Sequence, residues 1–380
     1  MTARRGLCAA AVLIVAGLLA ACAGPAPGRA APAGPPETGT GWERVPVGGT
    51  VRAIEGLDSQ DPPPHLTVAG DRAGRPLLAD VTGGRVLDLT GRLPAELRGP
   101  LAAVAADGDV VAVGLAVRPP GAGPAAVWAG YAFPDLAGRF ERWPVADAAG
   151  RAPAWVTPLL DGEEDARVVG AVAVAGHWRL HVWHQDGARS SLLDRTGPEV
   201  LAAAGDTAVL AGTTEAGVLV AGALHDATGP GRGRAVWWLD DPLDGSQPTW
   251  LRQELSPPAD DLTDLRCWSV GCWVAGVRDG SPVVHEVTDR VGPEVAGPRT
   301  VLDPARPAVL LAGLPVAAPM LLATQSADGP TVWQARPDRT WVRIPAPAGR
   351  LTAARRVGAG VYVVVDGVLW RRELPAPPDG

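Results

Sequence analysis

Short apolar runs alternate with polar turns along residues 42–374. The runs are rich in Val, Ala and Leu, and no long stretch has the 3.6-residue period of an amphipathic helix. Asp-Gly pairs, which favour the tight turns of β-hairpins, begin at positions 107, 161, 186, 244, 279, 328 and 366. The pattern predicts an all-β fold made of many short strands.

Two series of strand-like motifs repeat along this region. An aromatic motif occurs as WERVPV at 42–47, FERWPV at 140–145 and WVRIPA at 341–346, with a weaker copy that begins at Trp250. The three clear copies are spaced as two and four units of about 50 residues, a repeat length typical of β-propellers. A second, Val-Ala-Gly-like series marks another strand; its members begin at 68, 112, 168, 218, 274, 322 and 364.

The two series predict a seven-bladed β-propeller over residues 42–374, with a disordered tail at 375–380. The copy at 42–47 is surplus at the N-terminus, and one outer strand is missing at the C-terminus. We therefore expect 42–47 to complete the last blade beside strands from 351–374, which would remove an exposed sheet edge. Six or eight blades stay open, because residues 198–229 hold one more candidate strand than a blade requires.

The N-terminal segment has the layout of a bacterial lipoprotein signal. Arg4 and Arg5 precede an uncharged run that ends in Leu-Ala-Ala before Cys22. This pattern predicts a signal peptide at 1–21, a lipid on the Cys22 thiol, and a flexible Pro/Gly/Ala tether at 22–41. The alternative is an uncleaved membrane span, but the run is shorter than the roughly 20 residues that a span needs.

Composition indicates the kind of genome and excludes one class of partner. The chain contains no lysine and no asparagine, a bias typical of a very high-GC bacterium such as an actinomycete. Its formal net charge is −7. Nucleic-acid binding needs a basic face, so this charge argues against it.

Cysteine usage agrees with export. Cys8 leaves with the signal peptide and Cys22 carries the lipid, so the mature chain keeps Cys267 and Cys272 as its other cysteines. These two flank a four-residue turn between strand-like runs, and we expect a disulfide across a hairpin. Free thiols and half of a metal site are the alternatives.

Residues 267–276, CWSVGCWVAG, resemble a segment that recurs in bacterial Asp-box, or sialidase-like, propellers. Thr-Trp at 249–250 and 340–341 is similar to the end of an Asp box, and SADGPTVW at 326–333 has the box residues at shifted spacing. The resemblance implies the propeller architecture. It does not imply sialidase activity, which needs a tyrosine nucleophile: the chain offers Tyr131 and Tyr362, and the Val-rich surroundings of Tyr362 predict burial.

Other candidate chemistry is weaker. His177, His181 and His184 lie on one predicted strand, where they are too far apart or on opposite faces to share a metal. The acidic run at 161–165 is more typical of a solvated turn, with a calcium site as the alternative. The Gly-rich run at 229–234 lacks the context of a phosphate loop. We expect no metal, no cofactor and no catalytic residues, and we expect most of the tryptophans to pack between blades.

The sequence therefore predicts a non-catalytic binding or scaffold module, monomeric and lipid-anchored on the outer face of the cytoplasmic membrane. Its partner would be an envelope protein or polymer. Three cations in two predicted long loops, at 118–124 and 225–234, are the candidate binding residues: Arg118, Arg232 and Arg234. The alternative is a glycan hydrolase or lyase with its site in the funnel. The predicted inner strands carry almost no carboxylates; they lie at 101–105, 156–160, 309–312 and 351–354.

Overall fold

The fold is known from a computed structural model, which describes most of the region after residue 40. The described residues are 33–36, 41–57, 64–107, 110–115, 126–131, 140–143, 145–146, 149–153, 155–160, 166–174, 177–185, 192–202, 209–214, 217–222, 224–226, 235–240, 249–257, 259–268, 270–288, 291–313 and 319–374. They form thirty strands and one short 3₁₀ helix.

The first two strands belong to sheets that are completed later in the chain, and the next strands form sheets 1 and 2. The first two are β1 (Ala33–Pro36) and β2 (Glu43–Arg44). Sheet 1 contains β3 (Thr50–Leu57), β4 (His65–Arg72), β5 (Arg75–Thr82) and β6 (Arg85–Asp88), followed by the 3₁₀ helix Thr90–Arg92. Sheet 2 contains β7 (Ala103–Asp107), β8 (Val110–Leu115), β9 (Ala126–Tyr131) and β10 (Glu141–Trp143).

The next strands form sheets 3 and 4. They are β11 (Trp155–Leu160), β12 (Ala166–Val174), β13 (His177–Gln185), β14 (Leu192–Ala202), β15 (Val209–Thr214), β16 (Gly217–Gly222), β17 (Leu224–Asp226), β18 (Ala235–Asp240) and β19 (Thr249–Glu254). Sheet 3 has the order β11-β12-β13-β14-β17, and sheet 4 has the order β15-β16-β18-β19.

The remaining strands form sheets 5 to 7. They are β20 (Asp261–Trp268), β21 (Gly271–Arg278), β22 (Ser281–Val287), β23 (Val291–Ala296), β24 (Ala308–Gly313), β25 (Leu321–Ser326), β26 (Gly329–Ala335), β27 (Trp341–Pro345), β28 (Leu351–Val357), β29 (Gly360–Val365) and β30 (Val368–Glu373). Sheet 5 is β20-β21-β22-β23, sheet 6 is β24-β25-β26-β27-β1, and sheet 7 is β28-β29-β30-β2.

These sheets form a β-propeller, as the repeats predict. Six sheets are each built around consecutive antiparallel strands, and sheet 7 combines β28–β30 with β2. Glu43 lies opposite Arg371, and Val45 N–H donates to Leu369 C=O at 2.9 Å. Residues 43–45, within the segment 42–47, therefore pair with β30.

The first strand of each sheet is the inner one. Each inner strand contacts the inner strand of the next sheet, and β28 contacts β3, so the inner strands surround a channel. Apolar clusters fill the spaces between neighbouring sheets. Trp237 of sheet 4 packs with Val169 of sheet 3, and Trp273 of sheet 5 packs with Trp333 of sheet 6. These tryptophans confirm the expected packing between sheets.

The fifth strand of sheet 3 accounts for the surplus strand in the region 198–229. β17 leaves sheet 4 between β16 and β18 and pairs with β14, where Asp226 lies opposite Val200. The edge of β14 offers unpaired backbone groups, and β17 uses them. The beginning of the predicted 225–234 loop is therefore a strand that belongs to the neighbouring sheet.

The predicted tether at 22–41 contains a strand. β1 runs parallel to β27, with Ala33 opposite Trp341. Sheet-edge pairing uses backbone N–H and C=O groups, so it does not require the large apolar side chains that this segment lacks. The structure thus differs from the tether prediction at these four residues.

Asp-Gly turns close two of the described hairpins, as predicted. Asp279 and Gly280 have φ angles of 50° and 71°, and Asp366 and Gly367 have φ angles of 50° and 73°. Two successive positive φ angles define the type I′ turn, whose twist matches that of the flanking strands. The sequence pattern therefore identified the correct turn chemistry at these two positions.

Candidate functional site

The candidate site is the central channel, a cavity of about 510 Å³ lined by the inner strands of all seven sheets. Its lining residues are 52–55, 102–106, 157–159, 210–213, 263–267, 310, 352–353 and 355. Most of the wall consists of small side chains. A cavity of this volume lies within the range of small-molecule sites.

Four charged side chains meet in the channel, and we call them the channel cluster: Glu55, Asp264, Arg266 and Arg355. Glu55 lies on β3, Asp264 and Arg266 lie on β20, and Arg355 lies on β28. The exposed fraction of each of these side chains is between 10% and 20%, so they are largely buried but still reachable from the cavity. The cluster therefore combines charges from sheets 1, 5 and 7.

The shortest contact joins Glu55 and Arg266. Arg266 Nη1 donates to Glu55 Oε1 at 2.7 Å and to Glu55 Oε2 at 2.8 Å. Both carboxylate oxygens are thus engaged by one guanidinium nitrogen. A charge-assisted hydrogen bond of this kind is stronger than a neutral one.

The other contacts of the cluster are longer. Arg355 Nη1 lies 3.6 Å from Asp264 Oδ2, and Arg355 Nε lies 3.7 Å from Glu55 Oε2. Arg266 Nε lies 4.0 Å from Asp264 Oδ1. These distances exceed those of hydrogen bonds, so the contacts are ion pairs only.

Asp264 is held in place by the backbone. Its Oδ1 accepts from the Leu265 N–H at 2.9 Å, and its Oδ2 accepts from the Leu311 N–H of sheet 6 at 2.8 Å. Burial raises the pKa of Asp264 to about 6, although Arg266 and the two backbone N–H groups favour the ionised form. The carboxyl group therefore titrates close to neutral pH.

The predicted disulfide is confirmed, and it lies beside the cluster. Cys267 and Cys272 are bonded, are opposite each other in the β20–β21 ladder, and have Cα atoms 3.9 Å apart. The ladder continues to Trp268 and Gly271, so the connection is shorter than the predicted four-residue turn. Cys267 follows Arg266 directly and lines the channel.

Gly212 makes room for this disulfide. A Cβ atom at Gly212 would lie 2.3 Å from Cys267 Sγ and 2.5 Å from Leu265 Cδ2. Real Cβ atoms do not approach other atoms so closely, and the sulfur is fixed by its bond to Cys272. Sheets 4 and 5 can therefore pack at this point because residue 212 has no side chain.

Several predicted site residues lie outside the described residues. These are Cys22, Arg118, Arg232 and Arg234, together with the runs at 161–165 and 229–234. The structure therefore leaves the lipid-attachment and docking hypotheses as predictions.

His181 and Tyr362 are buried, at 2% and 3% exposure. His181 stacks on Trp183 with ring centroids 5.3 Å apart. The burial predicted for Tyr362 is confirmed. Within the described part of the chain, no group of three or more His, Cys, Asp or Glu residues could hold a metal ion.

Sequence reasoning missed the channel cluster. The four predicted inner-strand segments overlap β7, β11, β24 and β28. The carboxylates, however, lie on β3 and β20, for which the sequence predicts no inner position. One sequence signal could have indicated the cluster: Asp264 and Arg266 are charged residues two positions apart on β20, so they lie on the same face of that strand.

No family model matches the sequence, and no curated protein matches it. Within the described residues, no helix is long or apolar enough to cross a membrane.

Two solved structures are similar over most of their length. A fungal alcohol oxidase of the AA5 family, in complex with copper, is 11% identical with a TM-score of 0.55 over 88% of this chain and 76% of that one. The polysaccharide lyase Uly1 is 12% identical with a TM-score of 0.50 over 87% of this chain and 91% of that one. At these identities, the likeness concerns the fold alone.

Proposed function

We propose that this protein is a lipid-anchored, non-catalytic binding module on the outer face of the cytoplasmic membrane. The signal-like segment before Cys22 supports the anchor. The observation that carries the non-catalytic part is the pairing of the channel carboxylates. Glu55 is engaged by Arg266 through both oxygens, and Asp264 accepts two backbone N–H bonds.

This pairing suits a structural or binding role better than glycoside hydrolysis. Hydrolysis needs two carboxyl groups that reach the substrate, one as acid and the other as base or nucleophile. A carboxylate with both oxygens held by an arginine is a poor nucleophile, because the ion pair stabilises its charge. The cluster charges instead bind one another and leave a polar wall for a ligand.

The proposal includes a seven-bladed ring closed by the N-terminal segment. The support is the pairing of β2 with β30 and the contact between β28 and β3. In this arrangement, sheet 7 is a blade of mixed origin. The module then acts as a single rigid monomer that presents its channel to an envelope protein or polymer.

The alternative is a glycan hydrolase or lyase with its site in the channel. One observation favours it: the pKa of Asp264, raised by burial to about 6, falls in the range of a carboxyl group that can serve as a general acid. Incubation of the full chain with bacterial envelope polysaccharides distinguishes the two. Release of reducing ends that disappears in Asp264→Asn would establish the enzyme and overturn the binding module.

The anchor is tested by fractionation of cells that express the full chain. We expect wild-type protein in the membrane fraction with acyl chains on Cys22, and we expect Cys22→Ser to lose both. The matched control is Cys8→Ser, since the proposed cleavage removes residue 8. An unmodified Cys22 in the mature wild-type protein would contradict the proposal.

A further inference from the structure

Some of the distances within the channel cluster are too long for a closed network of hydrogen bonds. Three of its contacts, between 3.6 and 4.0 Å, are too long for hydrogen bonds. In the described part of the chain, three buried donors of the cluster have no hydrogen-bond partner: Arg266 Nε, Arg266 Nη2 and Arg355 Nε. Donors and acceptors therefore alternate at spacings that leave hydrogen-bonding capacity unused.

The chemistry of this arrangement selects a hydroxyl group. A hydroxyl oxygen accepts from a guanidinium N–H and donates its own proton to a carboxylate, so one hydroxyl can serve both kinds of group. A simple anion would be repelled by Glu55 and Asp264, and a simple cation would be repelled by the two arginines. Two adjacent hydroxyls on one ring match two carboxylates interleaved with two arginines.

We propose that the channel cluster binds a neutral sugar through vicinal ring hydroxyls. The proposal rests on the binding function proposed above and names its ligand class. The volume of about 510 Å³ admits a sugar ring. The cluster shares this cavity with small lining side chains, among them Ala53, Ala105 and Ala353.

The first test uses the full chain in a detergent without a sugar head group. Saturation-transfer NMR is recorded with the methyl glycosides of glucose, mannose, galactose and N-acetylglucosamine, each at millimolar concentration. Tetrahydropyran-2-methanol, which has a ring but no vicinal hydroxyls, is the control ligand. We expect transfer to the ring protons of at least one glycoside and none to the control. Absence of transfer to all four glycosides overturns the proposal.

The second test locates the site. Glu55→Gln removes a cluster charge with little change in shape, and Glu254→Gln makes the same change on β19, where the side chain is 69% exposed. We expect the Glu55 variant to bind at least about tenfold more weakly, as the loss of a charged hydrogen bond predicts, and the Glu254 variant to bind as wild type. Equal affinity of the Glu55 variant and wild type contradicts the proposal.

A third variant covers the case in which Glu55→Gln does not fold, which near-UV circular dichroism would show. Arg355→Lys keeps the positive charge but loses the planar fork of donors. We expect it to fold and to bind at least about fivefold more weakly, from the loss of one directed hydrogen bond. Wild-type affinity in this variant overturns the assignment of the site.

The outcomes separate this inference from the proposed function. A lipidated protein to which no glycoside binds refutes the sugar site and leaves the anchored module intact. A protein that binds a glycoside but has an unmodified Cys22 refutes the anchor and leaves the sugar site intact. Turnover of a bound glycan refutes only the non-catalytic assignment.

Discussion

Arg266 on β20 and Glu55 on β3 are joined by two hydrogen bonds, although their strands belong to sheets 5 and 1, which are not neighbours. The bridge therefore spans the channel instead of one interface between adjacent sheets. It connects residues that are 211 positions apart in the chain. The arrangement of the inner strands is thus fixed partly by a contact inside the cavity itself.

Arg266→Gln should lower the free energy of unfolding by about 2 kcal/mol, because Glu55 loses both charge-assisted hydrogen bonds in a largely buried position and keeps only the longer ion pair with Arg355. The matched control is Arg252→Gln on β19, whose ion pair with Glu254 is exposed and should contribute less than about 0.5 kcal/mol. Urea unfolding followed by tryptophan fluorescence measures both. Equal losses in the two variants would show that the bridge has no special role.

Asp264 should make the protein more stable as the pH falls from 7 towards 4. Its pKa is about 6 in the folded protein, against an ordinary value of 3.8 for an aspartate in the unfolded chain, so the folded state binds the proton more tightly. This contribution is fully present below pH 3.8 and is lost as the pH rises through 6. Its upper limit is about 3 kcal/mol.

The measurement compares urea unfolding of wild type and Asp264→Asn at pH 4, 5, 6 and 7. The variant should lack the Asp264 contribution, so the difference between the two proteins should change across this window. His285, whose pKa is lowered by burial, has the opposite effect on stability and is common to both proteins. Parallel stability curves for the two proteins would refute the prediction.

Gly212→Ala should destabilise the protein by about 2 kcal/mol, because the new methyl group would overlap Cys267 Sγ and Leu265. Gly91→Ala is the control: Gly91 is exposed, and a Cβ atom there would meet no atom within 4 Å. Thermal unfolding should show a clear decrease in Tm for the first variant and little change for the second. A wild-type Tm for Gly212→Ala would mean that sheets 4 and 5 pack less closely than these distances require.

Val45→Ala should cost about 2 kcal/mol, because Val45 is 5% exposed and packs in the cluster between sheets 1 and 7. Glu43→Ala, on the same segment but exposed, should cost less than about 0.5 kcal/mol. Differential scanning calorimetry distinguishes the two. If both variants melted as wild type, the N-terminal segment would contribute nothing to the stability of sheet 7.

The repeating part of the fold could be predicted from local sequence. Asp-Gly pairs determine turns through their backbone preferences, and the copies of the aromatic motif show which strands occupy equivalent places. The missing outer strand at the C-terminus was sufficient to assign the segment around Trp42 to the last sheet. The disulfide followed from two cysteines spaced across one hairpin.

The channel cluster could not be predicted in the same way. Glu55 and Arg266 lie 211 positions apart, on the inner strands of sheets 1 and 5, and only the arrangement of the inner strands brings them together. β1 was missed for another reason: its pairing with β27 uses backbone groups, which every residue except proline offers in full. Neither feature leaves a pattern in the order of side chains.

The pairing of β2 with β30 has a consequence for the order of folding. Trp42 Nε1 also donates to Pro345 C=O at 2.8 Å, a contact that spans 303 positions. Such distant contacts form late, because closing a long loop costs entropy before any interaction repays it. During synthesis β2 is made long before β30, and it stays without its partner strand until nearly the whole chain has been made. In a chain truncated before β30, the backbone groups of β2 that would pair with β30 therefore have no partner strand.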